Sequence, residues 1–407
     1  MVVGRAWHAC AAVVLAVSLM GCSRTAARPG GSTPIAAERA APAPGGSSVV
    51  PQDADSADAR IRYYETRLSK NPQLYPLHTR LGWAYLDKAR QTHEATWVGK
   101  ARQAAERSQA LQSNFDAMKL MMTVEKYSHR FENAVAWGWR AADASPGGRK
   151  QMDPEVLVGL VEAYLGLGQA TEAERLLPRS EAGVDRFYVA AAMGRFFAAQ
   201  GQVDAAVRAF LHARDLAATE LAGRSGPGSQ GAGAPSTDPQ RWALIMAGGV
   251  LLDNGRIAEA RPHFQAAARA GWTPLLGVHE AEVHEAEGRP AQALASYEKV
   301  LTRDPDPEVR RHAFRLARAQ GDEKRAGAHF VAAERALRAA LEAGEIYTLG
   351  ALAQLYADAE VRLTEAVSLA KQNLTWKRDA EARETLAQLE KKQAGLRASP
   401  DSTPGYR

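Results

Sequence analysis

Five glycines divide the middle of this chain at nearly regular intervals. Along the 407 residues they lie 33, 54, 33 and 33 residues apart, and the long interval contains an insertion. They are Gly168, Gly201, Gly255, Gly288 and Gly321. A repeat of this length is typical of stacked units, each too small to bury its hydrophobic face without a neighbour. The chain is therefore predicted to form one elongated repeat array.

The residues that follow each glycine recur in register with it. Five residues on is an alanine, and nine residues on is a bulky apolar residue. The alanines are Ala173, Ala206, Ala260, Ala293 and Ala326, and the bulky residues are Leu177, Phe210, Phe264, Tyr297 and Phe330. The glycine allows the positive φ of a tight turn, the alanine lets two helices approach, and the bulky side chain fills the gap between them. Each unit is therefore predicted to be two helices joined by a tight turn.

Two blocks carry a resemblance to a known family. Residues 193–213 read MGRFFAAQGQVDAAVRAFLHA, and residues 287–305 read EGRPAQALASYEKVLTRDP. Both resemble the tetratricopeptide repeat, whose consensus has an aromatic residue, a turn glycine, alanine, a second aromatic, alanine and a closing proline. The resemblance implies an all-α fold, a right-handed α-solenoid of about eight helix pairs. It also implies a concave groove, lined by the first helix of each repeat, that binds peptides or proteins.

Weaker units extend the array on both sides. In two of them His129 and Glu360 stand where the turn glycine is expected. The first unit begins near Leu81, and its second helix is predicted over 97–111 after a longer connection. We assign repeats 1–4 to residues 59–222, a flexible insertion to 223–238, repeats 5–8 to 239–375, a capping helix to 376–398 and a disordered tail to 399–407. The insertion would split the array into two arms that flex about it.

The first residues resemble the signal of a bacterial lipoprotein. Arg5 precedes an apolar run too short to span a bilayer, and LMGC follows at 19–22. This order resembles a lipobox, so residues 1–21 are predicted to be a signal peptide and Cys22 to be acylated. The segment 22–58 is rich in Ala, Pro, Gly and Ser and is predicted to be a disordered tether. The resemblance implies anchoring at the periplasmic face, and Ser23, in place of the retention residue Asp, implies the outer membrane.

Charge and cysteine content narrow the choice of partner and compartment. The chain has 51 basic and 46 acidic residues, so its formal net charge is only +5. Nucleic-acid binding would need a concentrated basic face, and none is evident. Signal cleavage would remove Cys10 and leave Cys22 as the one cysteine, which suits an oxidising compartment without disulfides.

The sequence offers few groups for catalysis. His279 and His284 are similar to the HExxH zinc signature, but a spacing of five residues places them about 140° apart around a helix. His284 is predicted instead to fill the aromatic position of its repeat, with Glu280 as a candidate hydrogen-bond partner; a metal site shared with His263 is the alternative. Nucleophile, haem and phosphate-loop motifs are absent from the sequence, so no enzyme, no cofactor and no metal is predicted.

The repeat register nominates side chains for the groove. With the turn glycine counted as position 15, the resemblance places positions 2, 5, 9, 12 and 13 on the groove side. The candidates are Tyr188, Arg195, Trp242, Glu282, Glu285, Arg311, Arg315 and Arg318. The three arginines of the last repeat named here either grip acidic or C-terminal groups of a partner or pair with the two glutamates on the adjacent helix. Both alternatives are open at the level of sequence.

Together these features predict a membrane-anchored scaffold for protein–protein interactions in the cell envelope. By resemblance, lipoproteins of this kind assist pilus secretins, outer-membrane β-barrel assembly or polysaccharide export, and nothing in the sequence selects among them. The alternative is a periplasmic subunit that binds glycans or solutes through aromatic side chains of the groove.

Overall fold

The computed structural model describes residues 56–178, 184, 186–224 and 238–398, and these residues are all-α. They form 18 α-helices and one short 3-10 helix, and no strand occurs among them. The helices of the first half are α1 (Ala57–Lys70), α2 (Tyr75–Thr92), α3 (Ala95–Leu111), α4 (Phe115–Tyr127), α5 (Phe131–Ala144), the 3-10 helix (Gly148–Gln151), α6 (Pro154–Gly166), α7 (Ala170–Leu176), α8 (Phe187–Ala199) and α9 (Val203–Arg224). Those of the second half are α10 (Asp238–Asp253), α11 (Ile257–Arg269), α12 (Pro274–Ala286), α13 (Pro290–Leu301), α14 (Pro307–Ala319), α15 (Glu323–Glu342), α16 (Thr348–Ala359), α17 (Leu363–Trp376) and α18 (Ala380–Ala398).

The turn predicted at each repeat is confirmed. The five periodic glycines have φ between +69° and +77°, in the left-handed region that glycine enters at little cost. His129 and Glu360, which stand in for glycine, have φ of +57° and +59°. The register read from the sequence therefore places every one of these turns correctly.

The predicted packing between the two helices of a repeat is also confirmed. The five periodic alanines are at most 1% exposed, so the partner helix lies directly against them. Phe210 and Tyr297 are fully buried in the gaps beside them. Burying an aromatic ring of this kind stabilises the fold by about 1.5–3 kcal/mol, which explains why the position stays bulky from repeat to repeat.

Two local expectations were wrong. No longer connection precedes the second helix of the first unit, because α2 continues to Thr92 and α3 begins at Ala95. The extra residues are helical, and His93 makes the turn with φ of +55°. In the unit of Gly168, α7 ends at Leu176 after seven residues, since Pro178 disfavours helical backbone in the residue before it. Leu177 is therefore half-buried beyond the helix end rather than inside the helix pair.

Several predicted segments lie outside the described residues. These are the signal peptide, Cys22, nearly all of the tether, most of the insertion and the C-terminal tail. Within the part of the chain that the structure describes, no helix has the length and apolar character of a membrane span.

The first repeats touch the last repeats through their turns. Three loops of the second half, which follow α13, α15 and α17, meet the turns at His93, His129 and Gly168. Each of these turns lies within a repeat. We call these three meetings the closure contacts. In the first, the imidazole Nε2 of His93 pairs with the carboxylate of Asp304. The two residues are 211 positions apart, so no local pattern could indicate the contact.

The second closure contact surrounds Glu345, which is 1% exposed. Its carboxylate accepts a hydrogen bond from Ser128 Oγ at 2.6 Å and one from Arg102 Nη1 at 3.4 Å. Beside it the ring of Tyr347 meets the rings of Tyr127 and His129, with centroids 5.7 and 6.1 Å apart. A buried carboxylate with two donors and a ring cluster makes this the most extensive of the three contacts.

The third closure contact is made by backbone. The amide of Arg378 donates to the carbonyl of Gly166 at 2.7 Å, and the Arg378 guanidinium reaches Glu132 at 2.8 Å. The Arg378 carbonyl lies 2.5 Å from the place where a Cβ on Gly168 would stand. Glycine is therefore required at this turn both for its φ and for the close approach.

Candidate partner-binding groove

The first helices of the later repeats enclose a cavity of about 300 Å³. Its walls come from α10, α12, α14, α16 and α18, so the C-terminal helix lies along the groove with the repeats. The polar and charged lining residues are Asp253, Glu282, Glu285, Arg311, His312, Arg315, Gln354, Asp358, Glu381, Glu384, Thr385, Gln388 and Lys392. A second cavity of about 120 Å³ beside the closure contacts shares Gln354, Glu381 and Thr385 with it. The two cavities therefore adjoin.

The three arginines predicted for the groove are held by groups of their own chain. Arg311 donates from Nε to Glu308 at 2.9 Å and from Nη1 to Asp358 at 2.6 Å. Arg315 donates to Glu285 at 2.8 Å, and Arg318 donates to the backbone carbonyl of Asp358 at 2.8 Å. One of the two predicted pairings is thus present, between Arg315 and Glu285. Whether these arginines also bind a partner stays a prediction.

Glu285 is the best-satisfied carboxylate of the cavity. Besides Arg315, it accepts a hydrogen bond from the Tyr297 hydroxyl at 2.9 Å, and His312 Nδ1 lies 3.8 Å away. Burial alone would raise the pKa of Glu285, but His312 and Arg315 outweigh it and lower the pKa to about 2. The carboxylate is therefore ionised and fully engaged at neutral pH.

Asp253 lines the same cavity from α10, but its carboxylate lacks such partners. Among the described residues no side chain donates to its carboxylate. Burial, and then the charge of Glu282, raise the pKa of Asp253 to about 7, although His279 acts in the other direction. The surroundings of Asp253 therefore oppose its ionisation, and a cation brought from outside would favour the charged form.

Sequence reasoning missed Asp253 although its register pointed to it. It stands two residues before Gly255, which is position 13 of the repeat and one of the groove positions. Glu384, also without a basic partner in the described part of the chain, accepts only from Gln388 Nε2 at 3.1 Å. It belongs to α18, which has no turn glycine to fix its register, so no sequence signal could have found it.

The remaining predicted groove residues belong to the first half and to α10. Trp242 is 6% exposed and its ring packs against Phe187 and Phe210, both at 5.8 Å between centroids. Arg195 lies over the Trp242 ring at 5.2 Å and pairs with Glu162. Tyr188 is half-buried beside Phe187. These three candidates thus lie together in and around the hydrophobic core, away from the C-terminal cavity.

The histidines that resemble a zinc signature have separate surroundings. His279 is buried, stacks on Phe264 at 5.4 Å and hydrogen-bonds with Glu282 at 2.7 Å. His284 is half-buried, and the described residues contain no hydrogen bond between it and Glu280, the partner suggested from sequence. No group of three or more His, Cys, Asp or Glu placed to hold a metal ion occurs in the ranges that the structure describes.

Comparison with known proteins gives one family and several structures. The tetratricopeptide repeat family model matches residues 278–307. No curated protein sequence matches the chain. The match covers α13, most of α12 and the closing Asp-Pro, and it contains one of the two blocks that carried the resemblance in sequence.

Three solved structures illustrate the range of similar folds. The Cut9–Hcn1 hetero-tetramer of the APC/C matches with 14% identity and a TM-score of 0.45, over 83% of this chain and 60% of that one. A monomeric IFIT1 variant matches with 12% identity and a TM-score of 0.44, over 84% and 80%. A tetratricopeptide repeat protein from Parabacteroides merdae matches with 14% identity and a TM-score of 0.38, over 69% and 99%. At these scores no conclusion about the partner of this chain follows.

Proteins built from this repeat mediate protein–protein interactions and bind their partners in the concave groove. Here the positive-φ turns, the buried alanines and the stacked helix pairs recur from the first unit to the last. The family model shows a tetratricopeptide repeat at residues 278–307, and the other units of the chain share its turn and its helix packing.

Proposed function

We propose that this protein is a non-enzymatic scaffold that holds a protein partner in the groove formed by α10 to α18. The observation that carries the proposal is the cavity of about 300 Å³ between four repeat helices and the C-terminal helix, lined by charged and amide side chains. Such a cavity holds a few side chains of an extended segment rather than a folded domain. The closure contacts support the site because they fix the loops beside its adjoining cavity.

We further propose that the scaffold is anchored by lipid on Cys22 at the periplasmic face of a bacterial outer membrane. This part rests on the sequence, in which Arg5, an apolar run and LMGC at 19–22 stand in the order of a lipoprotein signal. Multiple acyl chains give stable membrane attachment where a single chain does not. The long polar segment after Cys22 would hold the repeats clear of the bilayer surface.

The alternative role in glycan binding is less well supported. It depends on aromatic side chains that a sugar ring can reach in the groove. Trp242 is 6% exposed and engaged by two phenylalanines and an arginine, so its faces are already covered. We therefore retain the protein partner as the proposed ligand.

Partner binding can be tested with a photo-crosslinking amino acid in the groove. Gln388 is exposed and lines the cavity, while Val331 on α15 is 61% exposed and lies outside it. We expect illumination of intact cells to give a defined protein adduct from position 388 and none of the same mass from position 331. The same adduct from both positions, or none from position 388, would overturn the groove as a partner site.

Anchoring is tested separately with Cys22→Ser. We expect the wild type to incorporate radiolabelled palmitate and to sediment with outer membranes, and the variant to lose both properties. Unlabelled wild type, or a variant that sediments unchanged, would contradict lipid anchoring and leave the groove result unaffected.

A further inference from the structure

We propose that the C-terminal cavity selects a segment bearing lysine or arginine side chains, rather than an acidic or C-terminal group. This inference rests on the proposed function, because it names the chemistry of the partner for the same groove. Arg311, Arg315 and Arg318, which we call the arginine stripe, suggested an acidic or C-terminal ligand in sequence. The ligand proposed here has the opposite charge.

Carboxylates outnumber basic side chains in the lining of the cavity. Six carboxylates line it against three basic side chains, with His312 left aside, and one of the six, Glu381, pairs with Lys377 outside the lining at 2.6 Å. The carboxylates are Asp253, Glu282, Glu285, Asp358, Glu381 and Glu384, and the basic side chains are Arg311, Arg315 and Lys392. A concave site with low-dielectric walls concentrates the field of such an excess, so the cavity attracts cations.

The basic side chains that line the cavity already donate to groups of their own chain. Arg311 and Arg315 direct three of their donors into Glu308, Asp358 and Glu285. Lys392 donates to the Ala357 carbonyl at 2.8 Å. An acidic ligand would have to compete with protein carboxylates for these three arginine donors, which leaves Arg315 Nε as the buried donor without a hydrogen-bond partner in the described part of the stripe. It would also approach the carboxylates of Asp253 and Glu384. The arginine stripe is therefore a poor anion site.

Two carboxylates of the cavity are free to pair with a cationic side chain of a ligand. Asp253 on α10 and Glu384 on α18 have no basic partner among the described residues, and their helices are the first and last of the five that form the walls. Asp253 is half-buried and close to Glu282, whereas Glu384 is exposed. A guanidinium or ammonium group at either carboxylate would gain charge-assisted hydrogen bonds without breaking an existing ion pair.

Uncharged polar side chains also line the cavity. Gln354, Thr385 and Gln388 lie on the same two C-terminal helices, α16 and α18, and carry amide or hydroxyl groups. Amide and hydroxyl groups can both donate to and accept from the backbone of an extended peptide. The cavity thus combines acidic ends for cationic side chains with uncharged positions for the peptide backbone between them.

Two peptides of opposite charge serve as probes: tetraarginine amide, and tetraglutamate with uncharged termini. Their binding to the purified protein is measured by isothermal titration calorimetry. We expect tetraarginine amide to bind at one site per chain and tetraglutamate to give no heat of binding. Saturable tetraglutamate binding at one site, or no tetraarginine binding, would overturn the inference. Because the probes are used on wild type, this result does not depend on whether any variant folds.

A paired variant locates the site. Asp253→Asn with Glu384→Gln removes both unpartnered carboxylates, and Asp116→Asn with Glu323→Gln makes the same charge change at exposed positions outside the cavity. We expect the first pair to weaken tetraarginine binding about 10- to 100-fold and the second pair to change it by less than about twofold. Equal weakening by both pairs would show non-specific attraction and overturn the proposed site.

Arg315→Ala separates the two roles of the arginine stripe. If Arg315 only occupies Glu285, its removal frees a carboxylate, and tetraarginine binding should strengthen about threefold to tenfold. Weaker binding in this variant would contradict the inference. A crosslinked partner from position 388 that tetraarginine cannot displace would sustain the proposed scaffold and reject the cationic ligand, so the two proposals can fail independently.

Discussion

The turns of the first repeats and the turns of the later repeats have the same backbone conformation but opposite surroundings. At Gly201, Gly255, Gly288 and Gly321 a Cβ atom would meet nothing within 4 Å. At His93, His129 and Gly168 the turn is covered by a loop from the second half of the chain. Where a histidine replaces the expected glycine, its ring makes the contact that offsets part of the left-handed strain. Histidine thus makes two of the three covered turns, at positions 93 and 129, whereas Gly168 keeps the glycine of the repeat at the third.

The largest effect is expected from Gly168→Ala. The new Cβ would combine left-handed strain with a clash against the Arg378 carbonyl, and we expect a loss of about 3 kcal/mol of unfolding free energy. Gly288→Ala is the matched control, because its φ of +70° is close to the +69° of Gly168 and the space around it is open. Its loss should be about 1 kcal/mol. Urea denaturation measures both, and equal losses would mean that the third closure contact does not form in solution.

A smaller loss is expected from Glu345→Gln. The variant weakens the pairing with Arg102 and leaves a neutral amide in a buried site, which should lower the unfolding free energy by about 2 kcal/mol. Glu342→Gln, three residues earlier and exposed, should be within about 0.5 kcal/mol of wild type. Chemical denaturation monitored by circular dichroism distinguishes them. A neutral result at position 345 would contradict the second closure contact.

The first closure contact should depend on pH. Burial opposes a charge on His93, but the hydrogen bond to Asp304 and the charges of Asp306 and Asp304 outweigh it and raise its pKa above 6.5. The contact then stabilises the fold fully below pH 6.5, and this contribution is lost as pH rises through the raised value.

We expect His93→Asn, in which asparagine tolerates the positive φ, to cost about 1 kcal/mol at pH 6 and much less at pH 9. Asp304→Asn should show the same pH dependence, because it removes the other half of the pair. Melting temperatures recorded from pH 5.5 to 9 test this, and a wild-type minus variant difference that is constant with pH would count against the ion pair.

The smallest net effect is expected at His129. His129→Gly relieves about 1 kcal/mol of left-handed strain and removes ring contacts with Phe131 and Tyr347 of similar worth, so stability should change by less than about 0.5 kcal/mol. The reverse exchange, Gly321→His, adds the strain in open space and should cost about 1 kcal/mol. Thermal melts of the two variants give the comparison directly. Equal costs at the two positions would remove the distinction between covered and open turns.

The sequence was sufficient to predict the features that depend on a residue's position within one repeat. Gly201 marks a turn, Ala206 and Phe210 mark the buried face after it, and all three take the expected places. The same register, applied to Gly255, places Asp253 in the groove. These features depend on residues within one repeat, so a local pattern is enough to find them.

Contacts between repeats were predicted less well, for a physical reason. Arg315 meets Glu285 on α12, the first helix of the preceding repeat, as one alternative held, but Arg311 meets Asp358 on α16, the first helix of the following repeat. That choice depends on the offset between stacked helices, which the register leaves undetermined. The closure contacts depend on the accumulated twist of the whole array, and the one local feature at them was His129 in the position of a turn glycine.

The backbone hydrogen bond between Arg378 and Gly166 has a consequence for how the protein unfolds. In an open solenoid each repeat contacts only its neighbours, so the terminal repeats fray first and unfolding spreads inward. Here opening of an early repeat also removes contacts from a late one, and the array cannot lose one end without weakening the other. The closure contacts turn a one-dimensional stack into a cooperative unit, whose two ends should exchange their amide hydrogens together.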